Sequence, residues 1–183
     1  MENTYDAIVV GTGISGGWAA KELCEKGLKT LVLERGRMLK HVDDYTTALK
    51  DPWDYKAGDK ITKEIRQKQP KQSRTNYVNT ESSSHLFVDD NEHPYNEVKR
   101  FDWIRGYHLG GRSLMWGRQS YRLSDFDFGA NAKDGVAVDW PIRYKDLSPW
   151  YDYVEEYVGI SGEKLGLPQL PDGKFLKPME MNC

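Results

Sequence analysis

Gly11-Thr12-Gly13-Ile14-Ser15-Gly16 fits the pattern G-x-G-x-x-G, and Glu34 follows Gly11 by 23 positions. That spacing suits the holding of a dinucleotide. In such a role Gly11 permits a tight turn, Gly13 lets bare backbone approach a pyrophosphate, and Gly16 lets a helix pack closely on a strand. N–H groups around Ile14 and Ser15, at the positive end of a helix, would face the phosphates. Glu34 would accept hydrogen bonds from the adenosine ribose hydroxyls and repel a 2′-phosphate. Arg35 beside it would favour one, but Glu34 makes NADP the weaker option. The fingerprint alone does not separate NAD from FAD, and its competing reading is a glycine-rich turn in an unrelated α/β protein.

Such a loop works only between a strand and a helix. Ala7-Ile8-Val9-Val10 is a β-branched run that reads as a buried strand. Ile14 to Lys26 reads as a helix with Gly16, Ala19, Ala20, Leu23 and Cys24 on its inner face, so Cys24 is expected in the core rather than in redox chemistry. Gly27 suits the helix end, and Leu31-Val32-Leu33 reads as a second buried strand. Strand, helix and strand in about 30 residues make a βαβ unit, with parallel strands and a right-handed crossover.

From Met38 to Arg100 the pattern is irregular, broken by turn signals such as Asp51-Pro52 and Gln69-Pro70. A short helix over Ile61 to Gln69 and a short strand over His85 to Val88 are expected. Trp53, Tyr55, Tyr77, Phe87 and Tyr95 mark the segment as ordered in context, and its length points to function or to contact with another surface. Farther on, Ser148-Pro149 predicts a helix N-terminus. Trp150, Val154, Tyr157 and Val158 would then line one face of a helix ended by Gly159, as core or as a domain contact. The tail from Gly162 to Pro178 should be mostly loop.

A second glycine cluster, Leu109-Gly110-Gly111-Arg112-Ser113, can also bring bare backbone against a ligand. With Arg105-Gly106-Tyr107-His108 before it, Trp116-Gly117-Arg118-Gln119 after it, and Glu34-Arg35-Gly36, Asp125-Phe126-Asp127-Phe128, Val138-Asp139-Trp140-Pro141-Ile142 and Pro149-Trp150-Tyr151, the chain resembles the FAD-binding glucose–methanol–choline (GMC) oxidoreductases. The resemblance runs from Tyr5 to Cys183 and looks nearest to bacterial members near glucoside 3-dehydrogenases and pyranose oxidase. It implies that Gly110, Gly111, Arg112 and Ser113 lie against the FAD pyrophosphate and ribityl chain, with Met115, Trp116 and Gly117 near the isoalloxazine. In the pyranose oxidase pattern a histidine at the position of Met115 bonds to the flavin. A thioether cannot form that bond, so the flavin is expected to be non-covalent. Arg112 would pair either with a flavin phosphate or with a carboxylate of the long segment.

GMC enzymes pass a carbinol hydride to flavin N5 while a histidine base takes the hydroxyl proton. That histidine and its partner come from the C-terminal part of the family's chain. His41, His85, His93 and His108 match neither, and His108 is expected in a structural hydrogen-bonding role. No catalytic residue is therefore assigned in this chain. Asp89-Asp90 and Asp125/Asp127 read as solvated turn residues or caps rather than a metal cluster.

The balance of charge, Lys+Arg 26 against Asp+Glu 28, argues against a nucleic-acid partner held through phosphate neutralisation. No run approaches the roughly 18 apolar residues of a membrane span. Cys24 and Cys183 are too few for a disulfide framework or a thiolate zinc site. With no leader in view a cytoplasmic setting is expected, or a periplasmic one if a leader was removed.

The expected fold is α/β: a Rossmann-like βαβ unit over 1–36, a long irregular segment over 37–100, a second flavin-binding motif over 101–128, and helix and loops over 129–183 leading toward a substrate-side region. A hydrophobic content of 38% is lean for a closed core, and fits an N-terminal piece whose sheet and catalytic base lie elsewhere. The expected activity is oxidation of an alcohol or sugar CH–OH, with an unknown electron acceptor. Oligomeric or subunit contacts would run through 37–100. The alternatives are an NAD-dependent Rossmann dehydrogenase and a non-catalytic dinucleotide-binding or subunit-contact module.

Overall fold

The structure, a computed structural model, describes residues 4–75 and 78–180. Tyr77 and Cys183 lie outside the described residues. The chain divides into two compact units, the first ending at Trp116 and the second starting at Gly117.

In the first unit, β1 (Ala7–Val10), α1 (Ile14–Glu25) and β2 (Thr30–Leu33) follow one another. The strands are parallel, with Ala7 opposite Thr30 and Val10 opposite Leu33. This is the βαβ unit that the two short apolar runs and the glycine punctuation predict. Its burial differs from expectation. Val9 is 8% exposed, whereas Ile8 is 62% and Val10 81% exposed. Val9 faces α1, and the opposite face of the two-stranded sheet is bare. Cys24 is likewise exposed rather than core. Two strands cover only a narrow strip of the helix, so no residue of α1 is fully buried.

Among the described residues of 37–100 there is one α-helix, α2 (Lys63–Lys68), capped by the Thr62 hydroxyl, which accepts the Ile65 N–H at 3.2 Å. Single 3-10 turns make up the remaining helical structure. His85 to Val88 does not form the expected strand. Ser84–Leu86 is a 3-10 turn, and the Val88 N–H reaches the Arg105 carbonyl at 3.1 Å without a ladder.

The segment is organised around polar groups. Gln72 and Asn79 are fully buried. Gln72 Nε2 donates to Asp90 at 2.8 Å and to the Trp103 carbonyl at 3.1 Å, while its Oε1 accepts the Arg105 N–H at 2.8 Å. Arg105, also buried, donates to Asp90 at 3.2 Å and to the His93 carbonyl at 2.6 Å. Asp90 is thus a buried counter-ion and not the solvated turn residue expected from its sequence. A desolvated carboxylate needs such partners. Asp89 does close a turn, accepting the Asn91 N–H at 2.9 Å.

The second unit holds α3 (Asp125–Phe128), α4 (Ala130–Asp134) and α5 (Tyr144–Val158). Asp127 caps α3, accepting both the Ser124 N–H at 2.7 Å and the Ser124 hydroxyl at 2.9 Å. Asp125 accepts the Tyr144 N–H at 2.7 Å. Both acidic residues therefore serve helix ends, as expected.

Helix α5 begins earlier than Ser148-Pro149 suggests. Asp146 accepts the Arg143 N–H at 2.9 Å and so starts the helix there, leaving Pro149 inside it. The ring deprives the Lys145 carbonyl of its helical donor. The Ser148 hydroxyl donates to that carbonyl at 3.4 Å. Gly159 ends α5 as predicted. The expected apolar face is instead open, with Trp150, Tyr157 and Val158 all more than half exposed.

What α5 buries is Glu155, because Arg122 is there. Arg122 Nε donates to Glu155 Oε1 at 2.8 Å and Nη2 to Oε2 at 2.5 Å, with further bonds to Asp152 at 2.6 Å and to the Tyr144 hydroxyl at 2.8 Å. These bonds, the Glu155 pair foremost, hold the guanidinium pKa above its ordinary value. Glu155 also accepts the Lys174 N–H at 3.1 Å, which fixes the tail.

Candidate functional site

The two glycine motifs meet in the first unit. Gly11 turns the chain out of β1 with φ 89°, and its N–H donates to the Leu33 carbonyl at 2.7 Å. A Cβ on Gly16 would overlap the Gly11 carbonyl oxygen. The first turn of α1 is thereby drawn tight against the strand end. No side chain caps α1 and no acidic residue occupies its first turn, so the amides beginning with Ile14 and Ser15 present an uncompensated positive end.

The second motif closes over the first. Gly110 adopts φ 94° and starts the 3-10 turn Gly111–Leu114, in which the Ser113 hydroxyl donates to the Gly110 carbonyl at 2.5 Å. A Cβ on Gly111, itself at φ 58°, would stand 3.3 Å from Gly13 Cα. That contact is tight and the positive φ already favours glycine at 111, whereas a Cβ on Gly13 would meet nothing within 4 Å. The Gly110 N–H donates to the Thr12 hydroxyl oxygen at 2.9 Å.

Glu34 lies at the end of β2, where its Oε2 accepts the Thr12 N–H at 2.8 Å and the Thr12 hydroxyl at 2.5 Å. Its Oε1 accepts the Gly36 N–H at 2.7 Å. These bonds, the Thr12 hydroxyl foremost, pull its pKa from an ordinary 4.5 down to about 2. A carboxylate offers about four acceptor sites, so capacity for a ribose hydroxyl remains.

The lowered pKa has a sign in stability. The folded form favours ionised Glu34, so its contribution is full above pH 4.5 and is lost as pH falls toward 2. Glu34→Gln should be less stable than the parent at neutral pH. Its unfolding midpoint should also change less between those two pH values, as urea titrations at a series of pH values would show.

The strand end continues into the second motif. Residues Arg37 and His108 pair as a parallel bridge, and the Leu109 N–H donates to the Arg37 carbonyl at 2.9 Å. Arg35 is exposed, with its guanidinium carbon 3.7 Å from the Tyr107 ring centroid. His108 is buried, but its Nδ1 has no partner among the described residues. The hydrogen bonding expected of this residue falls instead to its backbone, whose carbonyl accepts the Gly111 N–H at 2.8 Å. Desolvation, followed by the Arg37 charge, lowers the imidazole pKa.

Arg112 is exposed and pairs with no carboxylate among the described residues. Met115 lies over Gly106, where a Cβ would come 2.5 Å from Met115 Cε. Trp116 is 41% exposed and ends the first unit, and Gly117 starts the second. No group of three metal-ligating side chains occurs among the described residues. No helix there is long and apolar enough to cross a membrane.

No protein-family profile matches the chain. Curated relatives do. The chain is 29% identical over 170 residues to a gluconate 2-dehydrogenase flavoprotein of Pantoea cypripedii, covering 86% of this chain and 25% of that protein. It is 27% identical over 166 residues to 6'''-hydroxyparomomycin C oxidase of Streptomyces lividus, covering 88% and 24%. Similarity to the fructose dehydrogenase large subunit of Gluconobacter japonicus is 25% over 179 residues, covering 94% and 29%. These relatives are GMC-type oxidoreductases. The chain spans about a quarter of their length.

Two contributors to the candidate site are not singled out by the sequence. Thr12 sits in a variable position of the fingerprint, and its only signal was a hydroxyl between two glycines. Tyr107 precedes the second glycine pair, but its place beside Arg35 depends on the bridge between Arg37 and His108.

Proposed function

We propose that this chain is the N-terminal, FAD-binding part of an oxidoreductase acting on CH–OH groups of sugars or alcohols. The observation that carries the reading is the closure of the Gly110–Ser113 turn over Gly13. Two glycine-lined backbones and an uncapped helix start then converge, as an extended pyrophosphate requires. Gly11, Gly13, Ile14, Ser15 and Gly16 hold one side of the diphosphate. Gly110, Gly111 and Ser113 hold the other, and Arg112 reaches a phosphate oxygen. Glu34 takes the adenosine ribose, with Arg35 at its edge. Met115, Trp116 and Gly117 lie toward the ring system.

FAD supplies the hydride acceptor for the oxidation. The base that takes the hydroxyl proton, and most of the substrate pocket, come from chain outside these 183 residues. Residues 37–100 contact the remainder of the protein or a partner subunit. The flavin is held without a covalent bond, since a thioether at Met115 offers no histidyl linkage.

The test is the visible spectrum of the full-length protein as purified. Bound oxidised flavin should colour it yellow, and acid precipitation should leave the colour in solution and the protein at its unmodified mass. A colourless protein that gains fluorescence quenching with NAD would overturn the reading in favour of a nicotinamide enzyme. Flavin mass retained on the denatured chain would overturn the non-covalent assignment alone.

A further inference from the structure

Thr12 touches both halves of the candidate cradle, and its hydrogen-bonding capacity explains how. Its hydroxyl has one proton and two lone pairs. The proton goes to Glu34 Oε2 at 2.5 Å, and the same oxygen accepts the Thr12 N–H at 2.8 Å. A carboxylate cannot donate, so the hydroxyl's direction is settled. Its lone pair is then available to the Gly110 N–H at 2.9 Å. Glu34 itself has no bond to Gly110. The hydroxyl oxygen is the polar group that passes the orientation of the carboxylate to the second loop.

We propose that Thr12 is a positioning residue that couples the ribose-binding carboxylate to the Gly110–Ser113 turn, so that the adenosine end and the diphosphate end of a bound dinucleotide are set together. This rests on the FAD reading for its ligand, but not for its geometry. Losing the hydroxyl removes one charge-assisted and one neutral hydrogen bond and leaves the Gly110 N–H without its acceptor. Thr12→Val keeps the shape and removes only the hydroxyl. Thr12→Ser keeps the hydroxyl.

Two measurements on the full-length protein test the coupling. In the flavin-free protein, amide exchange at Gly110 should be slowed in the parent and in Thr12→Ser. It should accelerate by about tenfold or more in Thr12→Val, the scale of one net hydrogen bond. Glu34→Ala, which removes a group not in contact with Gly110, should accelerate it as well, and the double variant should add little further. In FAD titrations Thr12→Val should bind at least about tenfold more weakly than the parent. Thr12→Ser should stay close to the parent.

If the parent takes up no FAD, the functional reading fails while the exchange measurement still decides the coupling. An unprotected Gly110 in the parent overturns the coupling even where a variant does not fold. Unchanged exchange at Gly110 in both Thr12→Val and Glu34→Ala also overturns it.

Discussion

Alanine at position 16 should lower FAD affinity of the full-length protein by one to two orders of magnitude, while alanine at position 17 should leave it near the parent value. The two glycines are neighbours on α1, but their surroundings differ. At Gly16 a new Cβ would occupy the place of the Gly11 carbonyl oxygen. Gly11 cannot retreat freely, because its N–H is bonded to the Leu33 carbonyl at 2.7 Å. Either the helix lifts from the strand end or the loop opens. Overpacking of this kind costs about 1–3 kcal/mol, and each ~1.4 kcal/mol is tenfold in affinity when the strain falls on the bound geometry. At Gly17 the nearest atom to a new Cβ is the Thr12 carbonyl oxygen at 3.8 Å, ordinary contact. Removing a helical glycine there should raise stability by roughly 0.5–1 kcal/mol. Isothermal titration of both variants with FAD, with thermal unfolding as the control, reads the contrast directly. Equal losses at the two positions would show that close helix–loop packing is not what shapes the site.

The second large effect belongs to Arg122. Arg122→Met should destabilise the second unit by about 3–5 kcal/mol, because it leaves Glu155 buried without its counter-ion. Glu155 is 7% exposed and takes two of the guanidinium bonds. The double variant Arg122→Met with Glu155→Leu should recover most of that loss, since two apolar groups of similar volume need no partners. Recovery should stop short of the parent because the Lys174 N–H loses its acceptor. Urea unfolding followed by tryptophan fluorescence would measure both variants. A single variant as stable as the parent would mean that Glu155 finds water instead of Arg122.

The βαβ unit was legible in sequence because each of its determinants is local. Branched residues make the strand, glycines make the turn, and the crossover length leaves parallel pairing as the solution. Burial was not legible in the same way. Ile8 and Val10 have core residue types, but whether they are covered depends on what lies against the sheet, and a strand pattern carries no information about that. The start of α5 was misplaced for a related reason. Ser148-Pro149 is a favourable local start, yet Asp146 offers its carboxylate to the Arg143 N–H and begins the helix earlier.

The candidate site divides along the same line. Glycine spacing points to Gly11 through Gly16 and to Gly110 through Ser113, because phosphate cradles need bare backbone. The polar residues that organise the irregular segment have no periodic signature. Gln72, Asp90 and Arg105 come from separate stretches of irregular chain, and their pairing follows only from burial. Thr12, by contrast, lies within the motif but at none of its glycines, so its role follows only from the place of Gly110 beside it.

The distance along the chain from Thr12 to Gly110 is 98 residues. Closing that loop costs about 1 kcal/mol more chain entropy than bringing β2 beside β1. During synthesis the βαβ unit can form once Leu33 and Glu34 have left the ribosome, whereas the second glycine turn does not yet exist. A nascent chain therefore exposes half of a phosphate cradle for the whole time needed to add the intervening segment. On the proposed FAD-binding reading, cofactor capture would wait for Gly110 to arrive rather than for the fingerprint to fold.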